Sequence, residues 1–204
     1  SKKYIFKDLN LRINKGEIIA ITGDSGVGKT TLVDLLLGLL EPNEGKIFSN
    51  NININKEIFS WRKILGYVPQ DVVLINNTIK KNITVGLKES LVNKKQLKNV
   101  IKNTNIDEFM TTEDGKFTNI GERGARLSGG QKQRIGIARA LYKDPKVIIF
   151  DEATSALDKN NEDQILKDIK ILSKKRIIIF ITHKIENLVF ADKIFCIDRF
   201  GKIK

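Results

Sequence analysis

The stretch from Ile18 to Leu37 leaves this chain few ways to fold. Ile18-Ile19-Ala20-Ile21 is a short apolar run of the kind that forms a buried strand. Thr31-Leu32-Val33-Asp34-Leu35-Leu36-Leu37 places Leu32, Leu35 and Leu36 on one face of a helix. Between them stands Gly23-Asp24-Ser25-Gly26-Val27-Gly28-Lys29-Thr30, which satisfies every fixed position of G-x-x-x-x-G-K-[ST]. A strand, a glycine-rich turn and a helix in that order aim successive backbone N–H groups, and the positive end of the helix dipole, at one point. Polyphosphate is the ligand such a point suits. Lys29 adds a full charge for the outer phosphates, the Thr30 hydroxyl is the expected Mg²⁺ ligand, and Thr31 completes the nucleotide-binding stretch. A glycine-rich turn that binds nothing has no use for the lysine and threonine, so a nucleoside triphosphate is expected here.

With 204 residues, 41% of them hydrophobic, the chain can bury one substantial core in one or two domains. The longest apolar runs, Leu35–Leu40 and Ile177–Ile181, fall well short of the ~20 residues that span a bilayer. No secretory leader pattern is seen at the start. Cys196, in the run Ile194-Phe195-Cys196-Ile197, is expected to be a buried thiol in a reducing compartment, and a cysteine metal centre is excluded. The net charge of +12 raises the question of nucleic acid or an anionic membrane. The lysines are scattered among many Asn and Ile, which reads as compositional bias, so no specific nucleic-acid partner is expected. A nearby anionic membrane is compatible, at up to about 1 kcal/mol per well-placed charge.

Along the chain, Ser1–Asn14 reads as a strand pair, followed by turns at Lys15-Gly16-Glu17 and Glu41-Pro42-Asn43-Glu44-Gly45. Lys46–Asn55 alternates at Ile52 and Ile54 as a half-buried strand would, with a hairpin over Ser49–Asn55. Ile64–Pro69 is a further strand. The pattern turns helical from Val72 to about Tyr142, with amphipathic segments at Lys94–Asn103 and Ser128–Tyr142, and Asp144-Pro145 ends it. Strands return at Val147–Phe150, Ile177–Thr182 and Lys193–Asp198, with a helix near Asn161–Leu172. The expected class is α/β: a P-loop NTPase core with a mostly parallel sheet, an N-terminal antiparallel β part and an inserted α-helical subdomain. As one domain over 1–204, it has its core in 1–70 and 144–204 and its insertion at about 71–143. No internal repeat is present.

Two further motifs carry chemistry. Leu127-Ser128-Gly129-Gly130-Gln131 opens a helix over Lys132–Leu141, with Ser128 as a natural N-cap and two glycines permitting close approach of a second anion. Val147-Ile148-Ile149-Phe150-Asp151-Glu152 delivers two carboxylates at the end of an apolar strand. Asp151 would hold Mg²⁺ through water, and Glu152 would orient and deprotonate an attacking water.

The phosphate loop, Tyr67-Val68-Pro69-Gln70, Leu127–Gln131, Val147–Glu152, Ser155-Ala156-Leu157-Asp158 and His183, in that order, resemble the nucleotide-binding domain of an ABC transporter across nearly the whole chain. The resemblance implies roles for matching positions. Gln70 touches Mg²⁺ or the water and senses a transmembrane partner. Ser128, Gly129 and Gly130, within Leu127–Gln131, meet the γ-phosphate held by an opposite subunit, so that two domains sandwich two ATP head to tail. Asp158 links the two sites, and His183, which follows the apolar strand Ile177–Thr182, contacts the γ-phosphate. Thr118-Asn119-Ile120-Gly121-Glu122-Arg123-Gly124 resembles the X-loop of exporters, with Asn119 where that loop usually carries Glu. Trp61-Arg62-Lys63-Ile64 and Asn77-Thr78-Ile79-Lys80-Lys81-Asn82-Ile83 are exporter-like as well, and an importer ATPase more often continues past the last strand.

The family stacks adenine on an aromatic upstream of the loop. Tyr4 is the nearest candidate but falls too late, which reads Ser1 as an internal start. These features imply an ATP-hydrolysing exporter domain with ATP and Mg²⁺. Its partners would be a second ABC ATPase domain, identical or paralogous, and a transmembrane domain of the same longer chain. Its place would be the cytoplasmic face of the inner membrane. Two rivals stay open: a soluble ABC ATPase acting on nucleic acid or ribosomes, and a nucleotide-dependent module without hydrolysis.

Overall fold

The computed structural model describes residues 4–110, 119–154 and 159–202. Its centre is a five-stranded sheet built from β1 (Ile18–Gly23), β4 (Leu65–Val68), β5 (Val147–Asp151), β6 (Ile177–Ile181) and β7 (Lys193–Ile197). The order is β4-β5-β6-β1-β7, and every neighbouring pair is parallel. A parallel sheet is covered on both faces, which is why β1, β5 and β6 are continuous apolar runs rather than alternations. The two faces share the side chains at period two. Ile148, Phe150, Ile178 and Phe180 join one core, in which the two phenylalanine rings lie 5.9 Å apart. Ile19, Ile21, Ile149, Ile179 and Ile181 join the other.

Helix α1 (Lys29–Leu36) covers the second face through Leu32 and Val33, while Leu35 and Leu36 are only half-buried. The last carbonyls of a helix need donors from elsewhere. Here the N–H groups of Leu37, Leu39 and Gly38 serve Val33 O, Asp34 O and Leu35 O, and α2 (Ile58–Lys63) serves the rest: the Trp61 indole donates to Leu36 O at 2.7 Å, and Arg62 to Gly38 O, just past the helix, at 2.6 Å. The first face carries α6 (Lys159–Ser173) and, inserted between β4 and β5, the helices α3 (Ile79–Ile83), α4 (Lys94–Asn103) and α5 (Gly129–Tyr142). Each of these three is opened by a side-chain cap, from Thr78, Asn93 and Ser128 respectively.

Three expectations are corrected. Described residues 4–14 form no strand. Phe6, Leu9, Leu11 and Ile13 pack on the α1 face of the core, but no strand among the described residues offers them a ladder. The antiparallel part is the hairpin expected over Ser49–Asn55, formed by β2 (Phe48–Ser49) and β3 (Ile52–Asn53), whose turn residues Asn50 and Asn51 both have positive φ, as a tight twist-matched turn requires. Ile52 is exposed and Ile54 buried, because Ile54 already opens a 3₁₀ turn that rotates it inward. Cys196 is exposed, not buried: β7 is an edge strand, and Phe195 and Ile197 take the sheltered side.

Candidate functional site

The chemistry collects at the carboxyl ends of the strands. Where β1 stops, the loop turns through Gly28, whose φ of 107° favours glycine and whose Cβ, if present, would meet Ile5 at 2.6 Å. No side chain caps the helix that follows, so the first N–H groups of α1 are left for a ligand. Lys29 lies folded over the loop, its Nζ donating to Gly23 O at 2.8 Å and Asp24 O at 2.9 Å. Asp24, Ser25, Gly26 and Thr30 are exposed, and Gly23, Val27, Gly28, Lys29 and Thr31 half-buried. At the rim, Arg199 pairs with Asp24 at 3.2 Å.

Two strands away, β5 ends in Asp151. Burial pushes its carboxyl above the usual range; a hydrogen bond from Tyr67 opposes this, Glu152 and Asp34 reinforce it, and the charge of Lys29 opposes it. Tyr67 Oη donates to Asp151 Oδ2 at 3.1 Å, and its own pKa is pushed up to about 12 by burial and by the Asp151 charge.

Glu152 follows with a φ of 48°, a left-handed conformation that costs a non-glycine residue about 1–3 kcal/mol and tends to mark functional positions. Its N–H is held by Ile181 O at 3.0 Å, and its Oε1 lies 3.3 Å from Nδ1 of His183, just past β6. The carboxylate is mostly buried, while the imidazole is more than half exposed. Gln70, just past β4, is exposed. The phosphate loop, Gln70, Asp151, Glu152 and His183 are therefore at the same ends of β1, β4, β5 and β6.

The signature stretch stands apart from them. Ser128 and Gln131 close a reciprocal cap, with Ser128 Oγ accepting from Gln131 N–H at 3.2 Å and Gln131 Oε1 from Ser128 N–H at 2.9 Å. Ser128, Gly130 and Gln131 line a hollow of about 280 Å³ with Glu108, Phe109 and Arg134, and no residue of the phosphate loop borders it. Leu127 packs against the first core. Asp158 lies outside the described residues, as does Thr118. From Asn119 onward this stretch meets one of the other exporter-like ones, Asn77–Ile83: Thr78 bridges Asn119, and Ile120 N–H donates to Asn77 O at 3.3 Å.

Among the described residues, no group of three or more His, Cys, Asp or Glu could hold a metal ion. The oxygen donors here, Thr30, Asp151 and Gln70, are few and hard. That set fits Mg²⁺, which keeps several waters and takes substrate phosphates as ligands.

Sequence reasoning missed two things. Tyr67 was visible only as part of a motif, and its contact with Asp151 depends on β4 being the neighbour of β5. A fully buried hub also went unseen. Asn82 grips Ile75 and Thr78, and Arg139 Nε reaches Asn82 O at 2.9 Å and its Nη1 reaches Val73 O at 3.0 Å. On the same helix, Gly136 leaves room for Val72, which a Cβ would meet at 2.6 Å, and Gln133 donates to Pro69 O at 3.4 Å. One face of α5 thus carries the segment that follows Gln70.

The chain is 43% identical over 201 residues to a Rickettsia prowazekii protein provisionally named export ATP-binding/permease protein, covering 98% of this chain and 34% of that one. It is 40% identical over 201 residues to the human mitochondrial iron–sulfur clusters transporter ABCB7, covering 98% of this chain and 26% of the relative. The solved structure of a bacterial Atm1-family ABC exporter with ATP bound superposes with a TM-score of 0.88 at 37% identity, over 98% of this chain and 35% of the other. The chain spans about a third of the length of the Rickettsia relative and of the solved exporter. The family model described as ABC transporter matches residues 6–155, well over half the sequence, and this chain belongs to the ABC transporter family.

Proposed function

We propose that this chain is the ATP-hydrolysing domain of an exporter, which receives MgATP at Gly23–Thr31 and works as one of a head-to-tail pair. The observation that carries this reading is Glu152 in a strained backbone conformation, 3.3 Å from His183, at the strand ends that also bear the phosphate loop. Backbone N–H groups of the loop and the Lys29 ammonium bind the phosphates, for which Lys29 exchanges its two carbonyl partners. Thr30, Asp151 and Gln70 would hold Mg²⁺, which when bound would offset charge on the phosphate oxygens. Glu152 accepts the proton of the attacking water, and His183 steadies that carboxylate from the strand beside it.

The position of the signature stretch supports the pairing. Ser128, Gly129 and Gly130 open a helix away from the loop of their own chain, so a second copy or a paralogue is what would bring phosphates to them. The exposed Val73 and Ile75, just after Gln70, suit contact with a membrane-embedded partner. No described helix is long and apolar enough to cross a membrane. The Rickettsia relative named as a permease is about three times as long as this chain, which supports a transmembrane domain elsewhere in a longer protein, with this domain on its cytoplasmic face.

Size-exclusion chromatography tests the pairing. Glu152→Gln incubated with MgATP is expected to elute as a dimer, and adding Lys29→Ala to abolish it. A Glu152→Gln protein that stays monomeric while saturated with MgATP contradicts the head-to-tail reading.

A further inference from the structure

Asp151 sits in a difficult field. Burial disfavours its charge, Glu152 and Asp34 repel it, and Lys29 attracts it. Among the described residues, one neutral donor reaches Asp151. Tyr67 pairs with Ile149 in the parallel register of β4 and β5, so its side chain shares the face of Ile149 and Asp151, and its hydroxyl reaches diagonally forward to Asp151 Oδ2 at 3.1 Å. This is also the face covered by α1, whose first turn carries Lys29 and Thr30.

We propose that Tyr67 is a positioning residue for Asp151: its hydroxyl fixes the orientation in which the carboxylate serves the Mg²⁺ of a bound nucleotide. The inference rests on the reading of Asp151 as a Mg²⁺-holding residue and extends it by one side chain. A phenol is suited to the task, because it binds one carboxylate oxygen without adding a charge that would compete for the metal. Partners of this kind are typically worth about 10- to 100-fold in metal affinity. A hydroxyl that is partly open to water places Tyr67 at the lower end.

The test is a titration with a fluorescent ATP analogue, first in EDTA and then with Mg²⁺ added stepwise. Tyr67→Phe, which keeps the ring and hence the packing, is expected to leave the metal-free affinity unchanged and to raise the Mg²⁺ concentration for half-maximal tightening by about 10-fold. Asp151→Asn is expected to raise it as well, and Tyr67→Phe to add nothing in that background. A Tyr67→Phe protein with the wild-type Mg²⁺ requirement, or with equal losses in EDTA and Mg²⁺, overturns the proposal. So does an additive effect on Asp151→Asn. If Asp151→Asn itself leaves the Mg²⁺ requirement unchanged, the underlying reading of Asp151 fails, which is a distinct result.

Discussion

Asn82→Leu isolates the energetics of the buried hub that ties the segment after Gln70 to α5. Asn82 is fully buried; its Nδ2 donates to Ile75 O at 3.0 Å and Thr78 O at 3.1 Å, and its Oδ1 accepts from Ile75 N–H at 2.9 Å and, at the limit of hydrogen-bond range, from Arg139 Nη2 at 3.5 Å, a contact long enough to add little. Leucine has nearly the same volume, so no cavity opens and only the polar terms change. Both carbonyls keep a backbone donor, Asn77 N–H on Ile75 O at 2.8 Å and Asn82 N–H on Thr78 O at 3.0 Å. Losing the second bond at each therefore costs about 0.5–1.5 kcal/mol apiece. Ile75 N–H loses its partner inside the protein, at about 1–3 kcal/mol. Burying the added apolar surface returns about 1–2 kcal/mol. The balance is a loss of about 3 kcal/mol, or a fall in Tm of about 6–12 °C for a chain of this size. Thermal unfolding followed by circular dichroism measures it. A Tm within about 2 °C of wild type would mean that the hub contributes nothing beyond its backbone bonds.

The same face of α5 makes Gly136→Ala informative. Helix propensity favours alanine by about 1 kcal/mol, but the new Cβ would lie 2.6 Å from the branched side chain of Val72, and overpacking costs about 1–3 kcal/mol. A net loss of stability in urea unfolding is expected, and a gain would show that Val72 can move aside. Lys29→Ala removes the ammonium that bonds the loop carbonyls and should weaken binding of a fluorescent ATP analogue by about 10- to 100-fold, the range of a charged hydrogen bond. Unchanged affinity in that titration would remove Lys29 from the site. Glu17 is held down at about 2, from an ordinary 4.5, by its hydrogen bond with Lys193 and then those with Asn14. A depressed folded pKa gives stability that is present above 4.5 and lost as the pH falls toward 2. The stability difference between wild type and Glu17→Gln should therefore be flat above about pH 5 and shrink below it, and a difference that grows on acidification would reverse the assignment.

What could be read from the sequence follows from how local its cause is. The strands Val147–Phe150 and Ile177–Ile181 were legible because burial on both faces leaves an uninterrupted apolar run. Helix α4 begins and ends where expected, since Asn93 caps it and Leu97, Val100 and Ile101 repeat at helical spacing. The segment 4–14 misled because Leu9, Leu11 and Ile13 have strand spacing, whereas a strand also needs a neighbour with free backbone groups. Cys196 misled because an apolar run does not say that its strand lies at an edge.

At the site, the motif residues were legible and their supports were not. The contact of Tyr67 with Asp151 requires a strand order that joins residues 84 positions apart, and the role of Asn82 requires burial that only the fold creates. Glu152, with its positive φ, likewise has its N–H on Ile181 O, a partner far along the chain.

The measurement closest to the central claim is the steady-state ATPase rate of Glu152→Gln beside that of the wild type, with ATP affinity measured on the same preparations. The account predicts a rate lower by about 10²–10⁴-fold, the range for loss of a general base, with binding retained. Wild-type turnover by Glu152→Gln would contradict it.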